Sequence, residues 1–278
     1  RETVFPSQVA LEAAADYDDK LIDTASVNYL GVNPRFDVHK KRRSCRTDGG
    51  IRLLYVSVYY PHKDPMTLVK ATRLLNERGI RTNTHITMEP HDFHTWDHAD
   101  SELFALLDPK HSEYLKLGRI NHAVLSNALQ EFDAFVFPSM AETFGFPMVE
   151  AMRAGVPLIV SDIPIHREIC GDAALYFRLG DPDDLATCVM KLDGDPSLRS
   201  DLIEQAHNRV EGQFTWENHV AKIAITIREI VEHKRHRLLI NALHARTGGQ
   251  GVCCRIQRVN AANGNRRRKC SQETPCPP

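Results

Sequence analysis

Residues 132–162 read FDAFVFPSMAETFGFPMVEAMRAGVPLIVSD, and the fold is decided within this stretch. A short apolar run at 134–137 stops at Pro138, a polar loop carries Glu142, a helix opens near Phe146, and a second apolar run at 157–160 follows Gly155. Two apolar runs joined by a helix of about ten residues predict parallel pairing, because the crossover is far too long for a hairpin. Ligands of such strand, helix, strand units sit at the carboxyl ends of the strands, which places a candidate site in the loop 139–145. Glu142 lies in that loop and Glu150 in the helix, eight positions further on. Eight residues at ~100° each return to within roughly 80° of the start, so a helical Glu150 can share a cleft with a loop-borne Glu142.

Working outward, the same alternation continues on both sides. Upstream, IRLLYVSV from Ile51 predicts a strand, and DPMTLVKATRLLNERG a helix with apolar Leu68, Val69, Leu74 and Leu75, Pro65 in its first turn and Gly79 as its cap. TNTHITM predicts a strand, a helix is expected around 102–107, YLKLGRI predicts another strand and HAVLSNALQ a helix. Downstream, PLIVSD and AALYF predict strands separated by the short helix PIHREIC. This pattern describes an α/β fold, a doubly wound, Rossmann-like parallel sheet of about six strands. DPDDLATCVMKLD, PSLRSDLIEQAHNRVEGQ and TWENHVAKIAITIREIVEHK then predict three helices, the last capped by Thr215.

The spacing of Glu142 and Glu150 inside E-T-F-G-F-P-M-V-E-A-M-R-A-G-V-P closely resembles the signature of retaining, nucleotide-sugar-dependent glycosyltransferases of the GT-B fold, group 1 or family 4-like. The resemblance implies the carboxyl-terminal, donor-binding half of such an enzyme. It implies a remnant of the amino-terminal acceptor domain at 1–34, where VNYLGVNPRF matches the closing segment of that domain, then a linker at 35–50 and the nucleotide-sugar domain at 51–234. The last helix, by the same resemblance, crosses back to the amino-terminal domain, and with little of that domain here the face of Ile223, Ile227, Ile230 and Val231 is expected to be partly exposed.

Sugar transfer from a nucleoside diphosphate asks this half to hold the nucleotide and to stabilise the departing diphosphate. A helix opening at Phe146 after Gly145 offers backbone N–H groups and a positive dipole end to a phosphate. The resemblance assigns Glu150 to the ribose hydroxyls and Glu142 to the sugar or diphosphate side, with Thr143, Phe144, Gly145 and Phe146 as donor-binding neighbours. In VSVYYPHKDP it assigns Lys63 to the diphosphate, while the arginine expected beside it has no counterpart before His62. A lysine at the start of a helix opposes the helix dipole, which favours a functional role for it. Arg119 and Ile120 of KLGRI are the candidates for base contacts. The donor is expected to be a UDP- or GDP-sugar, the acceptor a saccharide or lipid-linked saccharide, with peripheral membrane contact, no tightly bound cofactor and no metal. A donor-binding fragment without turnover, and a sugar-nucleotide epimerase of the same architecture, are the alternatives; the ETFGFP loop argues against the epimerase.

Composition narrows the rest. The chain has 278 residues, 42% of them hydrophobic, enough for a sizeable core. It lacks an apolar run of ~20 residues and a signal-peptide pattern at RETVFPSQ, so an excised fragment working in the cytoplasm, or at the inner face of the membrane, is expected. The net charge of −1 conceals a basic end: residues 235–278 hold nine Lys or Arg and one acid, and are expected to form a disordered tail. Its RRRK run lacks interleaved aromatics, so no nucleic-acid partner is expected. His39 to Arg43 in the linker reads as a solvated basic run, and the spacings of the seven cysteines match no zinc pattern. Of fourteen histidines, five fall between His85 and His111 without an H-E-x-x-H spacing.

Overall fold

The computed structural model describes residues 3–37, 50–89 and 113–246. The chain opens with β1 (Thr3–Phe5), α1 (Gln8–Ala15), α2 (Leu21–Thr24) and β2 (Ala25–Val27), whose strands form a parallel pair of their own. The doubly wound sheet follows: β3 (Ile51–Tyr55), β4 (Thr82–Ile86), β5 (Leu115–Leu117), β6 (Ala134–Phe137), β7 (Leu158–Ser161) and β8 (Ala174–Phe177), all parallel, in the order β5-β4-β3-β6-β7-β8. The helices are α3 (Pro65–Glu77), α4 (Leu125–Leu129), α5 (Phe146–Arg153), α6 (Pro164–Cys170), α7 (Pro182–Gly194), α8 (Pro196–Gln213) and α9 (Trp216–Arg246). Residues of β6 and β7 are buried along their whole length, as strands covered on both faces must be.

This order decides where a ligand can sit. The sheet starts in its middle at β3, grows to one side through β4 and β5, and then returns to β6 on the other side of β3. The connections leaving β3 and β6 diverge, and a crevice opens between them at the carboxyl ends.

Described residues up to Ile223 form one compact unit. The amino-terminal segment belongs to it: Glu168 of α6 accepts the N–H groups of Gln8 (2.6 Å) and Val9 (2.9 Å) and the hydroxyl of Tyr29 (3.0 Å). Phe36, inside the expected linker, is fully buried in the core. The remainder of α9, from Ala224, forms a second unit, with Ile227 and Val231 about half exposed.

Three expectations need correction. The run IRLLYVSV pairs only to Tyr55, because β4 ends at its partner Ile86 and the hydroxyl of Thr87 takes over the ladder, accepting from Ser57 N (3.0 Å) and donating to Ser57 O (3.1 Å). YLKLGRI pairs only over Leu115–Leu117, since Gly118 turns away at φ 137°. The disordered tail expected from 235 does not begin there: α9, capped by Thr215 Oγ1 accepting from Asn218 N (3.1 Å), runs unbroken to Arg246. Its alternation of apolar and basic residues lacks the Gly or Pro that would stop a helix before Gly248. The helix expected around 102–107, the basic run at 39–43, four of the five histidines and residues 247–278 lie outside the described residues.

Candidate functional site

The first wall of the crevice is the connection from β3 to α3. Tyr55, fully buried at the end of β3, donates its hydroxyl to the carbonyl of Lys63 (2.7 Å) and so fixes the short turn Pro61–Lys63. Asp64 follows in the left-handed region (φ 43°) and caps α3, accepting from Thr67 N (3.2 Å) and Thr67 Oγ1 (2.6 Å). A non-glycine residue in that conformation costs on the order of 1–2 kcal/mol, which the two cap bonds offset. Burial raises the pKa of the Asp64 carboxyl against the opposing effect of those bonds.

The second wall is the connection from β6 to α5. Ser161 Oγ donates to the carbonyl of Ser139 (2.6 Å), Met140 N donates to the carbonyl of His62 (2.7 Å), and Ser7 Oγ donates to the carbonyl of Thr143 (2.7 Å). Gly145 caps α5 at φ 81°, where a Cβ would collide with the Met148 methyl. Pro147 supplies no N–H and that of Met148 bonds to Gly145 O (3.0 Å), so the dipole end of α5 offers fewer donors than an ordinary helix start. The N–H of Phe146 has no partner among the described residues.

Between the walls lies a cavity of about 400 Å³, lined by Lys63, Phe137, Glu142, Thr143, Phe144, Gly145 and Phe146, with Pro6 and Leu30 of the amino-terminal segment. Lys63 Nζ stands 2.5 Å from Glu142 Oε1, with the two side chains only 14% and 11% exposed. Lys63 Nζ also lies 5.8 Å from the centre of the Phe137 ring. A pair this shielded is held by a charge-assisted hydrogen bond in reduced dielectric, and any anion entering the cavity must compete with Glu142 for the ammonium. Val58, in the segment where the resemblance implies a second cation, lines the cavity as an apolar residue, and Lys63 is the cavity's one Lys or Arg among the described residues.

Within the cavity wall, Phe144 is buried, packed edge-on against Phe146 (5.1 Å) and Phe214 (5.8 Å). The remaining candidates fall elsewhere. Glu150 does not line the cavity with Glu142, contrary to the shared cleft expected; it lies one turn beyond Phe146 on the same face of α5. There its carboxylate meets His122 Nε2 at 3.4 Å, and Arg35 Nη2 contacts the other ring nitrogen of His122, Nδ1. Desolvation raises the Glu150 pKa, opposed by His122 and Arg35. Arg119 Nε is 3.8 Å from Glu89 Oε1, and Ile120 packs against the core. His122 was missed in the sequence, where its place two residues after KLGRI was the only signal.

One layer behind the cavity, His166 is fully buried against Phe137 (5.5 Å between rings). Its Nδ1 is 2.9 Å from the carbonyl of Ser161, an acceptor, so Nδ1 carries the proton. Burial pushes its pKa down to about 4, and neither its Nε2 nor Ser139 Oγ has a partner among the described residues. Among the described residues no three of His, Cys, Asp and Glu gather to hold a metal ion, and no helix is long and apolar enough to cross a membrane.

Residues 38–209 match the profile of the family described as glycosyl transferases group 1. The O-antigen chain mannosyltransferase B of Escherichia coli is 29% identical over 168 residues, 59% of this chain and 42% of that protein. The phosphatidyl-myo-inositol mannosyltransferase of Mycolicibacterium smegmatis is 30% identical over 103 residues, 36% of this chain and 26% of that protein. The matches therefore span less than half the length of these relatives. Among solved structures, sucrose-phosphate synthase of Thermosynechococcus elongatus superposes with a TM-score of 0.69 at 19% identity, over 84% of this chain and 59% of that one. An Anabaena protein solved in complex with UDP and glucose gives 0.67 at 17% identity, over 81% of this chain and 62% of that one. The fold is the α/β fold of these proteins.

Proposed function

The chain belongs to the glycosyl transferases group 1 family, and from that premise we propose that it is the donor-binding part of a glycosyltransferase, transferring a sugar from a nucleoside diphosphate to an acceptor with retention of anomeric configuration. The observation that carries the reading is the Lys63–Glu142 pair, 2.5 Å apart and shielded from solvent where the connections from β3 and β6 diverge. In this reading Lys63 neutralises the diphosphate as the glycosidic bond breaks, aided by the N–H of Phe146, and Glu142, released from Lys63, faces the sugar. The nucleotide then runs along α5, with its ribose hydroxyls on Glu150 one turn deeper and its base toward the 118–122 connection, where Arg119 and the backbone at Ile120 are placed. His122 and Arg35, beside Glu150, join the ribose end.

The donor in this proposal is a UDP- or GDP-sugar, and the acceptor is a saccharide or a lipid-linked saccharide, as in the syntheses for which the curated relatives are named. Residues 1–34 are the acceptor-domain remnant, 35–50 the linker and 51–234 the donor domain; the protein acts in the cytoplasm or against the inner face of the membrane. That the matches span less than half of the two relatives named above favours a second reading, donor binding without turnover. A thermal-shift panel of UDP, GDP and ADP tests the shared part: a ligand at 100 times its dissociation constant stabilises by ~2.7 kcal/mol. No shift with any of the three sinks both readings. Turnover of labelled donor by this chain, compared with that of a full-length member of the family, separates them.

A further inference from the structure

The connection that carries Glu142 forms neither helix nor strand over residues 138–145, and its carbonyls are held from outside at both ends. At one end the tether is Ser161 Oγ to Ser139 O (2.6 Å), supplied by the neighbouring strand β7. At the other it is Ser7 Oγ to Thr143 O (2.7 Å), supplied by a residue 136 positions away. Ser7 is fully buried, and its hydroxyl is used both ways: it accepts from Ala10 N (3.1 Å) as the cap of α1 while donating to Thr143. The Thr143 side chain is exposed, so the peptide that carries this carbonyl is held by the Ser7 hydroxyl on one side and by the buried Phe144 ring on the other. The same amino-terminal segment adds Pro6 and Leu30 to the cavity wall.

We propose that Ser7 is a positioning residue of the donor site, fixing the Thr143 peptide and with it the direction in which Glu142 meets the sugar of a bound nucleotide sugar. This rests on the reading above, in which Glu142 faces the sugar and Lys63 the diphosphate. The Lys63 backbone is anchored separately, through its carbonyl to the buried Tyr55, and in the reading above its ammonium leaves Glu142 for the diphosphate once the ligand is bound. Loss of the Ser7 hydroxyl therefore acts on the sugar end of the ligand and spares the diphosphate end.

The test is calorimetric affinity for UDP, UDP-glucose, GDP and GDP-mannose on the wild type, Ser7→Ala and Ser7→Thr. In the base series that binds, Ser7→Ala weakens the sugar nucleotide roughly five- to tenfold, the scale of one neutral hydrogen bond, and changes the diphosphate less than about twofold; Ser7→Thr restores both. Loss of the α1 cap alone would lower the melting temperature and leave the ratio of the two affinities unmoved. Should Ser7→Ala fail to fold, Ser7→Cys fills the same space with a weaker donor and carries the same comparison. Equal losses for both ligands, or an unchanged ratio, overturn the role of Ser7 while leaving the donor site intact. A wild type that binds none of the four ligands overturns the donor site itself.

Discussion

Among the described residues of the six-stranded domain, a cavity of about 440 Å³ beside the edge strands β4 and β5 compares with one of about 400 Å³ at the carboxyl ends of β3 and β6. The edge cavity is lined by residues projecting from strand faces, Arg52, Asn83, His85 and Lys116, with Glu131 and Phe132 opposite. Its charges are of both signs, and Arg52 is already engaged by Asp133 at 3.2 Å. The other cavity is walled by two connections whose backbones are pinned by Tyr55, Ser161 and Ser7, and it holds one shielded ion pair. Volume does not separate the two. Topology does, because only diverging connections bring loop backbone, a helix start and a cation together around one ligand-sized space.

Each cavity also has a histidine whose pKa burial lowers, His85 at the edge and His166 behind the other, but their surroundings differ. His85 bonds the carbonyl of Gly118 at 2.8 Å and keeps a slight exposure of 9%, whereas His166 is fully enclosed. The contrast predicts the largest effect. Folded His166 takes up a proton only near pH 4, while the unfolded imidazole does so near 6.5, so the unfolded chain binds more protons between those values. The stability contributed by the neutral ring is complete above about pH 6.5 and is lost as pH falls toward 4, by up to about 3 kcal/mol. Urea unfolding of wild type and His166→Asn at pH 7, 5.5 and 4.5 should show the wild type losing more. Parallel curves would remove the distinction between the histidines.

A smaller effect is expected at Glu150, outside the cavity but on its helix. Glu150→Ala should weaken UDP or GDP by roughly 1–3 kcal/mol, the cost of charge-assisted hydrogen bonds to ribose. Unchanged calorimetric affinity would confine the ligand to the cavity and refute the ribose role.

The smallest effect is expected at the edge cavity. Asn83→Ala, at a β4 residue of the edge cavity away from the connections that follow β3, β5 and β6, should alter nucleotide affinity by less than about 0.5 kcal/mol. A larger loss would mean that the ligand has been placed in the wrong cavity.

Much of this arrangement was legible in the sequence, and the parts that were not share a physical cause. Period and punctuation identified six strands, and the length of the crossover made β6 and β7 parallel, because these signals are local. The motif around Glu142 placed Thr143, Phe144, Gly145 and Phe146 on one cavity with Lys63, which comes from a connection 79 positions away. Hidden were the contacts that only packing creates: Ser7 on Thr143, His122 on Glu150, and Phe36 in the core despite its place in a charged linker. Strand ends were also hidden, since the apolar run through Val58 continues where its pairing partner has ended. The helix dipole was overestimated at α5 for a legible reason, Pro147, whose missing N–H removes a phosphate donor.

In the proposed function the ammonium of Lys63 is kept for a diphosphate. Calorimetry of UDP against uridine, or GDP against guanosine, on wild type and Lys63→Ala tests it directly, because only the diphosphate presents charge to that group. The predicted result is a loss of roughly 1.5–3 kcal/mol for the diphosphate, on the scale of a hydrogen bond to a charged group, with the nucleoside unchanged. Equal losses for both ligands, or no loss for either, would contradict the assignment of the Lys63–Glu142 cavity as the donor site.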